Sequence, residues 1–170
     1  MAKSGTTKFY SNKQEKMIAD ELSWRVVSGS GARDCYPGDV VSDSWLGECK
    51  THTEVSDRVC FVKSHWTKIC KEASSKFKYP ALFVDNGSQK SAHTWVIFPF
   101  KCCNASDFKA TLSLPVEIRK NIVFSDKYMR IVYHDDCETN DGYVVYKIEA
   151  FDDDLALLPF SSFVELFGGE

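Results

Sequence analysis

Residues 37–50 read PGDVVSDSWLGECK, and this stretch decides the fold predicted for the chain. Two β-prone runs, DVV and WLGECK, flank the polar tripeptide SDS, which is the pattern of a β-hairpin. Because side chains alternate along a strand, Glu48 and Lys50 are predicted to share one face while Cys49 lies on the other.

The residues before the hairpin predict a helix, a short strand and a loop. Asn12 followed by Glu15 is a capping-box pattern, so a helix is predicted to begin there and to run to about Leu22. Residues 24–27, WRVV, are β-prone, and residues 28–31, SGSG, are typical of a loop.

A longer helix is predicted after the hairpin, from about Asp57 to Phe77, because apolar residues recur there at steps of three and four. Residues 80–84, PALFV, and residues 94–98, TWVIF, are strand-like runs. The order helix, three strands, helix and two strands is typical of an α/β protein with a mixed central sheet flanked by helices. Weaker patterns predict a short helix at Leu114–Ile118, strands at Met129–Tyr133 and Tyr143–Ile148, and a terminal helix at Phe160–Phe167.

Length and composition indicate one globular domain. The 170 residues, 44% of them hydrophobic and 26% charged, suffice for a hydrophobic core. We expect this core at about residues 12–100 and a C-terminal α+β extension at about residues 101–170. No run of about 18 apolar residues and no secretory signal are present, which predicts a cytoplasmic protein without membrane contact. The seven cysteines, without a CxxC pair, are interpreted as reduced thiols.

The acidic residues and the lysine of the hairpin suit phosphodiester hydrolysis. Asp39 and Glu48 on adjacent strands can bind Mg²⁺, which prefers oxygen ligands. Lys50 shares the face of Glu48 and can contact both water and phosphate, where negative charge develops. By itself, the spacing Asp-x₈-Glu-x-Lys also fits a solvent-exposed face with salt bridges.

From about Asn12 to Phe98 the sequence resembles the PD-(D/E)xK nuclease superfamily, and within it the archaeal-type and phage-encoded Holliday-junction resolvases. The resemblance rests on Glu15, RVVSGSGA at 25–32, PGDV at 37–40, ECK at 48–50, and an amphipathic helix followed by PALF at 80–83. Gly38 is a departure, since PGD replaces a literal PD, and the region after residue 100 matches no pattern of the family.

The resemblance implies a role for each matching residue. Asp39 and Glu48 correspond to metal ligands, Cys49 to a residue that offers its backbone carbonyl to the metal, and Lys50 to the lysine that positions the attacking water or stabilises the transition state. Glu15 corresponds to the helix glutamate that completes the metal site. The residues that correspond to DNA contacts are Arg25, Ser28, Gly29 and Ser30.

The implied protein is a Mg²⁺-dependent endodeoxyribonuclease that cuts branched DNA as a homodimer, with Mn²⁺ expected to replace Mg²⁺. Its location would be the cytoplasm of a cell, or of the host if a phage encodes it. Two alternatives stay open: a restriction-type or repair-type nuclease acting on linear or nicked duplex, and a non-catalytic protein that binds DNA or protein. The net charge of −3 conceals an excess of basic residues before residue 80 and of acidic residues after it.

Several residues near this pattern have simpler interpretations. Glu15 can serve as a helix-capping residue, with Glu21 as the alternative acid, and the SGSG loop can be a plain connector. His52 is interpreted as a surface residue or a neighbour of the site. The lysines of the long helix are interpreted mainly as its solvated face: Lys63, Lys68 and Lys71. Residues 152–154, DDD, are interpreted as a solvated turn or helix cap.

Overall fold

A computed structural model of the chain describes residues 5–27, 36–103, 110–113, 122–132 and 144–169. The helices are α1 (Thr7–Leu22), α2 (Lys63–Ser75) and α3 (Phe160–Phe167). The strands are β1 (Arg25–Val26), β2 (Val40–Val41), β3 (Trp45–Lys50), β4 (Arg58–Val62), β5 (Tyr79–Asp85), β6 (Thr94–Pro99), β7 (Ala110–Ser113), β8 (Ile122–Phe124), β9 (Tyr128–Val132), β10 (Val144–Ala150) and β11 (Asp153–Pro159).

Within the described residues, eight strands form one mixed sheet in the order β1-β2-β3-β5-β6-β11-β10-β7. β3 and β5 are parallel, and the connection between them contains β4 and α2. The three remaining strands form an antiparallel sheet in the order β4-β9-β8. A mixed central sheet with helices packed on it confirms the predicted α/β class.

Helices cover both faces of the central sheet. Along β5, Leu82 and Val84 face α2 and the three-stranded sheet, whereas Ala81 and Phe83 face α1 and α3. A strand that is buried on both faces is apolar at every position, and this explains the uninterrupted run PALFV. The layers are therefore α1 with α3, the central sheet, and α2 with the smaller sheet.

The predicted hairpin is confirmed as β2 and β3, which are antiparallel neighbours with Val40 opposite Gly47. A Cβ atom at Gly47 would lie 2.6 Å from Val40 Cγ2 and 2.7 Å from Phe83 Cε2. Only glycine lets these neighbouring side chains approach so closely, so the residue before Glu48 is fixed by packing.

The predicted start of the first helix is wrong. The helix begins at Thr7, and its N-cap is Thr6, whose side chain accepts a hydrogen bond from the amide of Phe9. Asn12 lies inside α1, so no capping box exists at Asn12 and Glu15. Thr6 is one of the residue types preferred as an N-cap, so the helix begins earlier than the predicted start at Asn12.

The predicted helix from Asp57 to Phe77 is also wrong in its first part. Residues 58–62, RVCFV, form β4, because β-branched and aromatic residues pair there with β9. Trp66, Ile69 and Ala73 do form the buried stripe of α2. Phe77 is not part of that stripe: it follows the helix at a positive φ of 55° and its side chain is 99% exposed.

The C-terminal part of the chain supplies inner strands of the central sheet. β11 lies between β6 and β10, and α3 has the predicted bounds. β9 and β10 lie close to the predicted strands, whereas β7, β8 and β11 were not predicted. The helix predicted at Leu114–Ile118 lies outside the described residues. None of the described helices is long and apolar enough to cross a membrane.

Candidate active site

Glu48 and Lys50 lie at the carboxyl-terminal end of β3, on the sheet face that α2 covers. The side chain of Glu48 is 2% exposed and that of Lys50 is 33% exposed, and Lys50 Nζ lies 2.6 Å from Glu48 Oε1. Cys49 is buried in the core on the opposite face. The predicted alternation of these three residues is confirmed.

Asp39 reaches the same end of β3 from the turn that precedes β2. Its Oδ2 accepts a hydrogen bond from the Cys49 amide at 2.8 Å, and its own amide donates to the Gly47 carbonyl at 2.8 Å. Gly38 permits this turn, because its φ is +78° and an added Cβ would lie 2.8 Å from Leu46 Cδ1. The glycine in PGD is therefore the residue that brings Asp39 to β3.

The Lys50 ammonium lies among three oxygen-bearing groups. Its Nζ is 2.6 Å from Glu48 Oε1, 3.1 Å from the Cys49 carbonyl oxygen and 4.0 Å from Asp39 Oδ2. A positive charge is thus already held where two carboxylates and a carbonyl converge. These are hard oxygen donors of the type that Mg²⁺ accepts, usually together with several waters.

The oxygen atoms of Asp39, Glu48 and the Cys49 carbonyl are of the type that binds a divalent cation, but they do not form a complete coordination shell. Across the described ranges, no three residues among His, Cys, Asp and Glu are grouped closely enough to hold a metal ion. A cation bound here would have two side-chain ligands, Asp39 and Glu48, and the Cys49 carbonyl. Water and substrate oxygens would complete its coordination, as is common for Mg²⁺.

Lys68 of α2 lies on an exposed face of the helix, as predicted, but its ammonium also belongs to this site. Its Nζ lies 2.9 Å from both Glu48 Oε1 and Glu48 Oε2. The Lys68 side chain is 50% exposed, and its ammonium also lies 3.8 Å from Glu72 Oε1 one helical turn further on. This contact forms because α2 packs over β3, and the spacing of the two residues in the sequence does not predict it.

The carboxyl groups of the site have shifted pKa values because they are close together and partly buried. Burial, together with the charge of Glu48, raises the pKa of Asp39. Burial also acts to raise the pKa of Glu48, but hydrogen bonds from Lys50 and Lys68 outweigh it and lower that pKa. Glu48 is therefore the ionised anchor of the cluster.

Glu15 of α1 lies near Asp39, at the edge of the cluster. Burial raises the pKa of Glu15 to about 7, and the charge of Asp39 contributes further. The charge of Glu48 also raises this pKa and that of Lys50 lowers it, so Glu15 is within electrostatic reach of the other three predicted catalytic residues. Clustered acids with raised pKa values are typical of functional sites.

Two further residues of the site were not predicted. Gln14 is fully buried on α1, and its Nε2 donates to the Lys50 carbonyl at 2.9 Å, which ties α1 to the end of β3. His65 of α2 is close enough to the site that burial and the charges of Lys50 and Lys68 lower its pKa. The position of Gln14 next to Glu15 was the only sequence signal for either.

The loop after Lys50 is held by Asp85 at the end of β5. The Asp85 carboxylate is buried and accepts hydrogen bonds from Thr51 Oγ1 at 2.6 Å, from the Gly87 amide at 2.8 Å and from the Gln89 amide at 2.7 Å. Burial raises the pKa of Asp85 above its usual range. The parallel strands β3 and β5 thus end in one connected loop structure.

The other predicted site residues lie further out. Arg25 is exposed on the edge strand β1, and Glu21 and His52 are exposed. Ser28, Gly29 and Ser30, predicted to contact DNA, lie outside the described residues. Lys63 pairs with Asp152 at the surface.

Comparisons with known proteins give no match: no family model, no curated protein and no solved structure is similar to this chain. What the fold and the site define is an α/β protein in which two carboxyl groups, of Asp39 and Glu48, and two lysines, Lys50 and Lys68, lie at the carboxyl-terminal end of β3.

Proposed function

We propose that this protein is a Mg²⁺-dependent endonuclease that hydrolyses the phosphodiester bonds of DNA. One observation carries the proposal: Asp39, Glu48 and the Cys49 carbonyl converge on the Lys50 ammonium. This combination supplies oxygen ligands for a hard cation and a positive charge for phosphate in the same place.

Each residue of the cluster has a distinct part in the proposed reaction. Asp39, Glu48 and the Cys49 carbonyl would hold Mg²⁺ or Mn²⁺, which would supply Lewis-acid activation of the phosphate and of water. The Lys50 side chain is 33% exposed, so a phosphate oxygen could reach its ammonium, which would stabilise the negative charge of the transition state. Glu15 provides a third carboxylate beside Asp39.

The preferred substrate that we propose is branched DNA, such as a Holliday junction, cut by a homodimer. This part rests on the resemblance of residues 12–98 to resolvases. A junction presents two symmetric strands, and a two-fold dimer presents two copies of the site to them.

Cleavage of four end-labelled DNA substrates tests the proposal: a four-way junction, a nicked duplex, a linear duplex and a single strand, each with Mg²⁺ and with EDTA. The proposal expects paired symmetric cuts in the junction with Mg²⁺ and no cuts in EDTA. Cutting of the linear duplex at the same rate would support the nuclease activity but contradict the proposed preference for junctions. No cutting of any substrate would overturn the proposal.

A second function, DNA binding without catalysis, is favoured by the ion pairs that Glu48 forms with Lys50 and Lys68. Both of its oxygens are bonded by ammonium groups, at 2.6 Å and 2.9 Å, so a cation has to compete with Lys50 and Lys68 for this ligand. The same panel separates the two functions, since a binding protein shifts the junction in a gel but leaves its strands intact with Mg²⁺.

A further inference from the structure

An open cavity of about 320 Å³ lies on the outer face of the three-stranded sheet. We name it the basic cleft; it is lined by His52, Ser56, Arg58, Cys60, Tyr128 and Arg130. In the paired strands β4 and β9, Cys60 lies opposite Arg130. The residues that alternate with them, such as Phe61 and Met129, are buried in the core, so the cleft residues face away from it.

The lining of the basic cleft is cationic or neutral, with two guanidinium groups, one imidazole and two hydroxyls. Arg130 Nη2 donates to Tyr128 Oη at 3.1 Å, and its guanidinium lies 5.2 Å from the centre of the Tyr128 ring. This stacking holds the guanidinium in place before any ligand arrives. Arg130 forms no ion pair with any residue of the described ranges.

Arg58 has one acidic neighbour, Asp57, whose Oδ1 lies 3.1 Å from Arg58 Nε. The Arg58 and Asp57 side chains are 52% and 65% exposed, so this ion pair is solvated and weak. The outward-facing nitrogens of Arg58 stay available for a second anion, because a guanidinium has five donors.

His52, which lines the cleft, lies close in the chain to the proposed active site. His52 follows Lys50 by two residues, and two extended residues span at most about 7 Å. Asp85 fixes the intervening Thr51, and Gln89 Nε2 donates to the His52 carbonyl at 3.4 Å. The backbone of His52 is therefore held within about 7 Å of Lys50, a distance comparable to that between neighbouring phosphates of a DNA strand.

We propose that the basic cleft binds a backbone phosphate of the DNA substrate, next to the phosphate that is cut. The inference rests on the proposed function, and it assigns the DNA path to the outer face of the small sheet. Guanidinium groups bind phosphate oxygens in a bidentate manner. Since phosphate contacts carry no base information, the cleft contributes affinity and register but not sequence preference.

Binding of a fluorescent four-way junction and of a linear duplex in EDTA, at several salt concentrations, tests this inference. Arg58→Gln with Arg130→Gln is expected to weaken binding of both DNAs about tenfold. It is also expected to reduce the slope of log K against log salt by about 0.9 for each phosphate that the variant no longer neutralises. The charge-conserving pair Arg58→Lys with Arg130→Lys is expected to retain most of the slope.

Lys127→Gln is the matched control, because Lys127 is exposed in the turn between β8 and β9 and does not line the cleft. Its affinity and slope are expected to equal those of the wild type. Unchanged affinity and slope in the double Gln variant would overturn the inference while wild-type cleavage with Mg²⁺ still supports the nuclease. Loss of binding in the Lys pair equal to that in the Gln pair would also overturn it, since charge would then not be the cause.

Discussion

Lys68 Nζ lies 2.9 Å from both carboxylate oxygens of Glu48, although 20 residues separate them in the chain. Glu48 is the most buried acid of the site, and a buried carboxylate without a partner is strongly destabilising. Together with Lys50, Lys68 therefore stabilises the buried carboxylate of Glu48 in the absence of metal, while it occupies the oxygens that a cation needs.

Replacing Lys68 by Met is predicted to increase the affinity of the protein for Mn²⁺ severalfold. The variant keeps the hydrophobic stem but removes the positive charge that competes for Glu48. Isothermal titration of Mn²⁺ into DNA-free protein measures this directly. Lys71→Met, on an exposed position of the same helix, is the control and is expected to leave the affinity unchanged. Equal dissociation constants for the wild type and Lys68→Met would contradict competition at Glu48.

Replacing Glu15 by Gln is predicted to stabilise the metal-free protein at pH 8 more than at pH 5. The folded pKa of Glu15 is about 7, raised from an ordinary value of 4.5. Because the pKa of Glu15 is higher in the folded than in the unfolded protein, its carboxyl group contributes fully to stability below pH 4.5. This contribution is lost as the pH rises through 7. Urea unfolding of both proteins in EDTA at the two pH values provides the measurement, and a gain of stability that is the same at both would disprove the raised pKa.

Replacing Gly38 by Ala is predicted to cost about 2–4 kcal/mol of unfolding free energy, through the left-handed backbone and overpacking. The added Cβ would lie 2.8 Å from Leu46 Cδ1 at a φ of +78°. Gly169→Ala is a matched control, since its φ of +89° is similar but a Cβ there meets nothing within 4 Å. Equal losses in the two variants would show that the contact with Leu46 is unimportant.

Replacing Asp85 by Ala is predicted to cost about 2–4 kcal/mol, because it leaves the buried amides of Gly87 and Gln89 without an acceptor. The loop that carries Thr51 should loosen, which hydrogen exchange of the Gly87 and Gln89 amides would detect. Asp43→Ala, at an exposed turn position, is expected to change stability by less than about 0.5 kcal/mol. Unaltered amide protection in Asp85→Ala would refute this role.

The sequence predicted the β2–β3 hairpin and the face shared by Glu48 and Lys50 because both depend on local patterns. Polar residues between β-prone runs define the turn, and strict alternation then assigns every side chain of β3 to a face. The end of α1 at Leu22 and the bounds of α3 also agree with the prediction, although the capping box from which the first helix was predicted does not exist.

The contribution of α2 to the site could not be predicted. Lys68 contacts Glu48, and His65 lies within its electrostatic reach, only because the chain crosses from β3 to the parallel strand β5 through α2. Sequence spacing does not encode which residues of α2 face β3. β11 was missed because its run LALL is rich in helix formers. Its position between β6 and β10 overrides that preference.

The central claim is most directly tested by single-turnover cleavage of a four-way junction by the wild type, Asp39→Asn and Asp43→Asn with Mg²⁺. Asp39 is a proposed cation ligand, whereas Asp43 is exposed in the turn of the same hairpin. We predict that Asp39→Asn reduces the cleavage rate at least about 100-fold, as loss of a group that stabilises the transition state does. We predict that Asp43→Asn cuts at the wild-type rate. Cleavage by Asp39→Asn at the rate of Asp43→Asn, with both proteins folded, would contradict the assignment of this site.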